Sequence, residues 1–142
     1  MRAITLKQPW ATLLVKGVKH HETRSWKLPP DLIGRPILIH AGLAYEVPPH
    51  MDMIRGLVMA AGAGPEQAPR GAILGSVTFD ACHRVTLAGG FPVKINMHQF
   101  CFGDYAPNRW YWTVLERKLF DAPIHNVRGR LGIWTYEGEY PL

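Results

Sequence analysis

Apolar residues near the N-terminus follow two periods, one typical of a strand and one typical of a helix. Residues 3–6 form a short apolar run with β-branched members, which predicts a first strand. Residues 8–16 carry apolar side chains at the i, i+3 and i+4 spacing of one helix face, and Gly17 follows as a C-terminal cap. We therefore expect a strand followed directly by a short helix.

Further along the chain, the same patterns predict more strands than helices. After two consecutive prolines, the apolar residues 54, 57, 58 and 61 share one helix face. Strands are expected at residues 22–26, 35–41, 72–79 with an extension towards 85, 110–119 and 131–136. There is no regular alternation of strands and helices. The pattern favours an α+β fold, a small mixed β-barrel of roughly five to seven short strands with two or three flanking helices.

Composition and charge narrow the class of protein. The chain has 142 residues, 47% hydrophobic and 19% charged, which is typical of one folded domain and predicts a single domain over residues 1–142. The net charge of +5 favours an anionic partner. The N-terminus lacks the apolar core of a signal peptide, and no apolar run approaches the length of a membrane span. We therefore expect a cytoplasmic protein with no membrane partner, whose two cysteines are reduced.

Common catalytic and metal-binding patterns are weak in this sequence. Neither of the two serines, Ser25 and Ser76, lies in a nucleophile-elbow context. His20 and His21 are adjacent, so on a strand their side chains point to opposite faces and cannot easily chelate one ion together. The cysteines lack the close pairing of a structural zinc site. The sequence therefore predicts no metal and no cofactor.

Charged residues crowd the segment GVKHHETRSW at residues 17–26. If the second half of this segment is extended, Glu22 and Arg24 lie side by side on one face, with Lys19 at the turn beside them. Such a group can keep a glutamate oriented and still offer cations to a ligand. The alternative is a surface salt bridge of small energetic value.

Aromatic residues beside arginine form a second candidate group. Tyr105 and Arg109 lie in or beside a Pro/Asn turn, where a ring can stack on a base while a cation meets phosphate. Trp110 and Trp112 share one face of the following strand, and we expect at least one of them in the core. His40 lies inside an apolar strand, where a hydrogen-bonded core histidine is the first interpretation and a place in a ligand cleft is the second.

The order of these segments resembles that of the ASCH domain, a branch of the PUA-like superfamily. The family motif GxKxxExR is matched by Gly17, Lys19, Glu22 and Arg24. Further blocks resemble those of the family in the same order: LKQPWATLLVKG, ETRSW, RPILIHA, GAILGSV, FGDYAPNRWYW and RGRLGIW. The match covers nearly the whole chain, apart from the helix and loop between residues 40 and 71.

The resemblance implies a PUA-like barrel with a cleft built on the motif, and recognition of RNA or a modified nucleotide, with DNA as the alternative. The candidate nucleotide-binding residues are Lys19, Glu22, Arg24, Trp10, Trp26, His40, Tyr105 and Arg109. In this hypothesis the cations meet phosphate or a polar base edge, and the glutamate accepts hydrogen bonds from a base or ribose. The aromatic side chains stack on the ligand or form the walls of the cleft.

The resemblance leaves the question of catalysis open. Some small ASCH-like proteins are amidohydrolases that remove an acyl group from a modified cytidine, using a threonine activated by a lysine. This sequence keeps Lys19 but has Glu22 at the threonine position, so the threonine mechanism is not carried over. A ribonuclease or cytidine amidohydrolase-like hydrolase, with Glu22 and Lys19 as an acid/base pair, is the alternative function. A protein-interaction domain is the second alternative.

Overall fold

The computed structural model describes residues 1–141, which form eight strands and three α-helices. The strands are β1 (Arg2–Gln8), β2 (His21–Arg24), β3 (Pro36–Tyr45), β4 (Ala72–Arg84), β5 (Leu87–Ala88), β6 (Phe91–Pro92), β7 (Trp110–Ile124) and β8 (Ile133–Thr135). The helices are α1 (Trp10–Val15), α2 (Met51–Ala60) and α3 (Met97–Cys101), and a 3-10 turn occupies Pro30–Leu32. Each predicted strand and helix has a counterpart here, which confirms the α+β class.

Six strands form one curled sheet in the order β2-β7-β4-β3-β1-β8. Strands β1 and β3 are parallel, and all other neighbouring pairs in this sheet are antiparallel. Strands β5 and β6 pair only with each other as a small hairpin. The mixed sheet curls into a half-barrel, in agreement with the architecture that the sequence predicted.

Helix α1 lies within the predicted range of residues 8–16, and Gly17 follows its end, as predicted. The peptide bond between Gln8 and Pro9 is cis. Gln8 Oε1 accepts a hydrogen bond from the Thr12 amide at 3.0 Å, which satisfies one donor of the first helical turn. Gly17 has a φ of +82°, a left-handed conformation that glycine adopts at little cost. The chain therefore leaves the helix at Gly17 and turns towards β2.

The core lies between α1 and the half-barrel. Leu14 of α1, Phe79 of β4 and Trp112 of β7 are fully buried in the main apolar cluster, so the prediction that at least one of the two tryptophans is core is confirmed. A second cluster joins α1 to α2 through Ile54 and Val58. Burial of α1 side chains in these two clusters holds α1 against the sheet. The loop that follows α1 is held in place with it.

Helix α3 has no counterpart among the predicted elements. Its five residues form little more than one turn, so no helical period can be read from them. Asn96 caps the helix, since its side chain accepts a hydrogen bond from the Gln99 amide at 2.9 Å. This short helix places Gln99 and Phe102 beside the charged segment described above.

Candidate functional site

A cleft of about 950 Å³ opens between β2, α3 and the loop that precedes β8. Its size lies within the range of about 300–1,000 Å³ typical of small-ligand sites. Cationic side chains outnumber acidic ones in the lining, so its net charge is positive. The lining cations are Lys7, Lys19, Arg24, Arg109 and Arg130, and the acids are Glu22, Glu46 and Asp104.

Lys19 lies at the floor of the cleft, with only 2% of its surface exposed. Its Nζ donates a hydrogen bond to the Phe102 carbonyl oxygen at 2.6 Å and lies 5.6 Å from the centre of the Trp10 ring. Burial lowers the pKa of Lys19 to about 8, against the opposing effect of the Glu22 charge. Lys19 is therefore a cation at neutral pH, although it titrates far below an ordinary lysine.

Gln99 of α3 holds the backbone on both sides of Lys19. Its Nε2 donates to the Val18 carbonyl at 3.0 Å, and its Oε1 accepts from the His20 amide at 2.7 Å. Val18 and His20, which flank Lys19, thus both bind the buried Gln99 side chain. The position of Lys19 in the cleft depends on α3 as much as on the helix that precedes it.

Glu22 and Arg24 form the least exposed ion pair in the cleft lining. Glu22 is 5% exposed, and its Oε2 accepts a hydrogen bond from Arg24 Nε at 2.9 Å. Arg24 Nη2 donates to the Thr5 carbonyl oxygen at 3.0 Å, which ties the guanidinium to β1. Glu22 is therefore bound directly by the Arg24 side chain and the Thr23 amide, and Lys19 acts on it through charge alone. The structure brings all three motif side chains to one cleft.

The turn after α3 contributes Tyr105 and Arg109 to the lining. Tyr105 is buried, and its hydroxyl lies 2.9 Å from His21 Nδ1. Burial, followed by the charge of Glu22, raises the pKa of Tyr105, while burial and the charge of Lys19 lower the pKa of His21 to about 4. At neutral pH the imidazole and the phenol are both uncharged, and one neutral hydrogen bond joins them. Although it lies in a turn, Tyr105 is buried.

Two candidate residues lie outside the cleft lining, and the expectation of a cleft position is corrected for both. Trp26 lies two residues beyond the end of β2, and its ring lies 5.7 Å from the Arg24 guanidinium without being part of the cleft lining. The Trp26 ring packs against Trp112, 5.1 Å between ring centres. His40 is buried and donates from Nε2 to the Val127 carbonyl oxygen at 2.7 Å. The core-histidine interpretation therefore describes His40.

Several lining residues were not among the candidates. Phe102 supplies the carbonyl that binds Lys19, and Gly103 leaves little room for a side chain, because a Cβ there would lie 3.0 Å from both Thr23 and Tyr105. Arg130 and Leu131 line the cleft from the segment before β8. The RGRLGIW block was the only sequence signal near these last two residues.

Within residues 1–141, no three His, Cys, Asp or Glu side chains come close enough together to hold a metal ion. The same part of the chain contains no helix with the length and hydropathy needed to cross a bilayer. The cleft lining itself presents five cations, three carboxylates and several aromatic rings.

The curled mixed sheet, with a buried lysine and an ion pair in one cleft, defines a PUA-like α+β protein. The ASCH domain family matches over residues 4–133, and the chain belongs to that family. ASCH domains are in general PUA-like domains that bind RNA or other nucleic acids.

One solved structure provides a comparison of fold. The chain is similar to a mutant of the ZmASCH protein from Zymomonas mobilis, with a TM-score of 0.54 and 14% identity, over 96% of this chain and 88% of that one. At this identity the likeness supports the fold alone. No curated protein sequence matches the chain.

Proposed function

We propose that this chain binds RNA or a modified nucleotide in the cleft built on its GxKxxExR motif. The observation that carries the proposal is the convergence of Lys19, Glu22 and Arg24 in one positively charged cleft. Two cations beside one fixed carboxylate suit a ligand that has both phosphate and a polar base edge.

Each part of the cleft fits one part of a nucleotide. The Lys19 ammonium has three donors, of which one is bound to Phe102, and the Arg24 guanidinium is held in a fixed plane by Glu22 and Thr5. The Trp10 ring, which is partly exposed, offers a face on which a base can stack. The Glu22 carboxylate can accept hydrogen bonds from a base or a ribose hydroxyl.

A matched pair of lysine variants tests the proposal. Lys19→Ala and Lys16→Ala both remove one charge and one lysine-to-carbonyl hydrogen bond, since Lys16 Nζ donates to the Ala61 carbonyl at 2.7 Å, yet Lys16 is not part of the cleft lining. Affinity for a fluorescent single-stranded RNA at low salt should fall about 10- to 100-fold in Lys19→Ala, as expected when a charged contact is lost. Lys16→Ala should bind like wild type.

Arg24→Ala should weaken RNA binding in the same way. Comparing the affinity for a single-stranded DNA of the same sequence measures the role of the ribose hydroxyls. Circular dichroism on every variant shows that it is folded. If both cleft variants bind RNA as tightly as Lys16→Ala does, the cleft is not the binding site and the proposal fails.

Hydrolysis of RNA or a nucleoside is the second candidate, and the lowered pKa of Lys19 favours it. A lysine that titrates near pH 8 beside a buried carboxylate can exchange protons in a reaction, whereas an ordinary surface lysine cannot. In this mechanism Glu22 takes a proton from the attacking water. Glu22→Gln should then abolish turnover of an RNA or acylated cytidine substrate while RNA affinity survives. Turnover that is unchanged in Glu22→Gln would remove Glu22 from the chemistry.

A further inference from the structure

Leu131 is the most exposed large apolar residue in the described part of the chain, with 98% of its surface open to solvent. It lies between Arg130 and Gly132 at the end of the segment that joins β7 to β8, and all three residues line the cleft. Removing an apolar side chain from water is favourable, and at the mouth of a charged cleft a bound ligand can do this by covering it.

The segment that carries Leu131 is firmly held at its base. The Val127 amide donates to the Gly71 carbonyl at 2.9 Å, and the Val127 carbonyl accepts from His40. At Gly129 a Cβ would lie 2.8 Å from both the His40 ring and Thr5 Oγ1, so the backbone packs directly on buried side chains. Leu131 is therefore presented from a fixed support rather than from a free loop.

Two arginines closely precede the exposed leucine in the chain. Arg128 and Arg130 are both exposed, and neither has a hydrogen bond or ion pair with any of residues 1–141. Free guanidinium groups next to an apolar tip match the arrangement in which proteins hold phosphates and insert a side chain between bases.

The groups at the cleft floor are too deep for a base that remains stacked in a helix. Lys19 and Glu22 expose only 2% and 5% of their surfaces, so a base must leave its stack to reach them. Removing one base from a duplex leaves a gap, and an apolar side chain inserted into that gap reduces the cost of unstacking. The wide, shallow minor groove of A-form RNA admits a short protrusion to the base stack.

We infer that the ligand is double-stranded RNA from which one nucleotide is extruded into the cleft, with Leu131 inserted as a wedge in its place. This inference rests on the proposed function and specifies its substrate class. Arg128 and Arg130 contact phosphates next to the wedge, and the base that leaves the stack occupies the space above Lys19 and Glu22.

Leu131→Ala and Leu115→Ala provide the test, because Leu115 is an exposed leucine of β7 (57%) outside the cleft lining. Both variants and wild type are titrated with an RNA duplex that contains one fluorescent adenine analogue in a mismatched pair, and with the corresponding single strand. We expect Leu131→Ala to lose about tenfold in duplex affinity, together with the fluorescence rise that reports unstacking. Single-strand binding should change less than about twofold, and Leu131→Met should restore duplex binding.

The outcomes separate this inference from the proposed function. If wild type binds the single strand but not the duplex, or if Leu131→Ala and Leu115→Ala bind the duplex equally well, the wedge is overturned and the cleft proposal stands. A leucine effect seen with a DNA duplex but not with RNA overturns the choice of RNA. If wild type binds neither RNA, the wedge is overturned together with RNA as the ligand of the cleft, which leaves a free modified nucleotide as the ligand in the cleft proposal.

Discussion

Two buried polar groups meet at Thr5 and differ in kind. The first, which we call the closed cluster, consists of Thr5, His40, Val127 and Trp134. Trp134 Nε1 donates to Thr5 Oγ1 at 3.1 Å, the Thr5 hydroxyl donates to His40 Nδ1 at 3.1 Å, and His40 Nε2 donates to the Val127 carbonyl at 2.7 Å. Burial lowers the pKa of His40, so the cluster is neutral and every donor has an acceptor.

The second group, the open cluster, consists of Lys19, Glu22 and Arg24. It is charged, it faces the cleft, and its cations keep donors that no described residue binds. Buried polar residues in proteins are normally satisfied, as in the closed cluster. The contrast shows that burial alone does not mark a functional histidine or lysine, whereas buried charge with unused donors beside a cavity does.

The largest expected effect comes from breaking the closed cluster. His40→Ala leaves the Thr5 hydroxyl and the Val127 carbonyl without their partner and opens a cavity, so we expect a loss of about 2–4 kcal/mol in the free energy of unfolding. Urea denaturation measures this loss, with the exposed His20→Ala as the control. The RNA affinity of the folded fraction should be unchanged. A drop in affinity like that of Lys19→Ala would show that the two clusters work as one.

The free energy of unfolding should also depend on pH, because Lys19 of the open cluster is buried. The folded protein releases the Lys19 proton near pH 8, whereas the unfolded chain keeps it to about 10.5. Between these values the unfolded state binds more protons, so stability should rise with pH, by up to roughly 3 kcal/mol across the window.

The variant Lys19→Met isolates this contribution, because it retains every other titrating group. Its unfolding free energy should lack the rise above pH 8 that wild type shows. RNA affinity of wild type should fall over the same window as the ammonium is lost, while Lys19→Met should show no such fall. Parallel curves for the two proteins would mean that Lys19 titrates like a surface lysine.

The smallest expected effect concerns Arg130 in the cleft lining, outside the open cluster. If Arg130 contacts a phosphate, Arg130→Ala should reduce the slope of log affinity against log salt by about 0.7 for single-stranded RNA, with only a modest loss of affinity. Arg55→Ala on α2 removes the same charge from an exposed helix face away from the cleft and should leave the slope unchanged. Equal slopes in all three proteins would confine the ligand to the cleft floor.

The fold was largely predictable because its signals are local. Apolar runs and, for β2, the alternation of residues 22–26 predicted the six strands of the sheet, and the helix spacing with its terminal glycine predicted α1. The pairing of Glu22 with Arg24 also followed from a two-residue strand period, and the hydrogen bond between them agrees with it. The membership of the ASCH family, first read from ordered motifs, is shown by the match over residues 4–133.

What the sequence could not provide depends on contacts between distant segments. The Lys19 ammonium binds a carbonyl 83 positions away, and backbone carbonyls leave no trace in a sequence pattern. His40 and Trp26 were placed in the cleft because alternation was extended too far or because polarity was taken as a sign of function. Where β2 ends, and which face of β3 meets the segment before β8, are decided by packing.

The dependence of the motif on Gln99 has a consequence for protein engineering. Since the backbone on both sides of Lys19 binds that one side chain, the GxKxxExR segment is not a portable cassette. Grafted onto another scaffold without a counterpart of α3, the segment would keep its sequence but lose its geometry. The unit to transplant, or to look for in other chains, is the helix–strand segment together with the short helix that braces it.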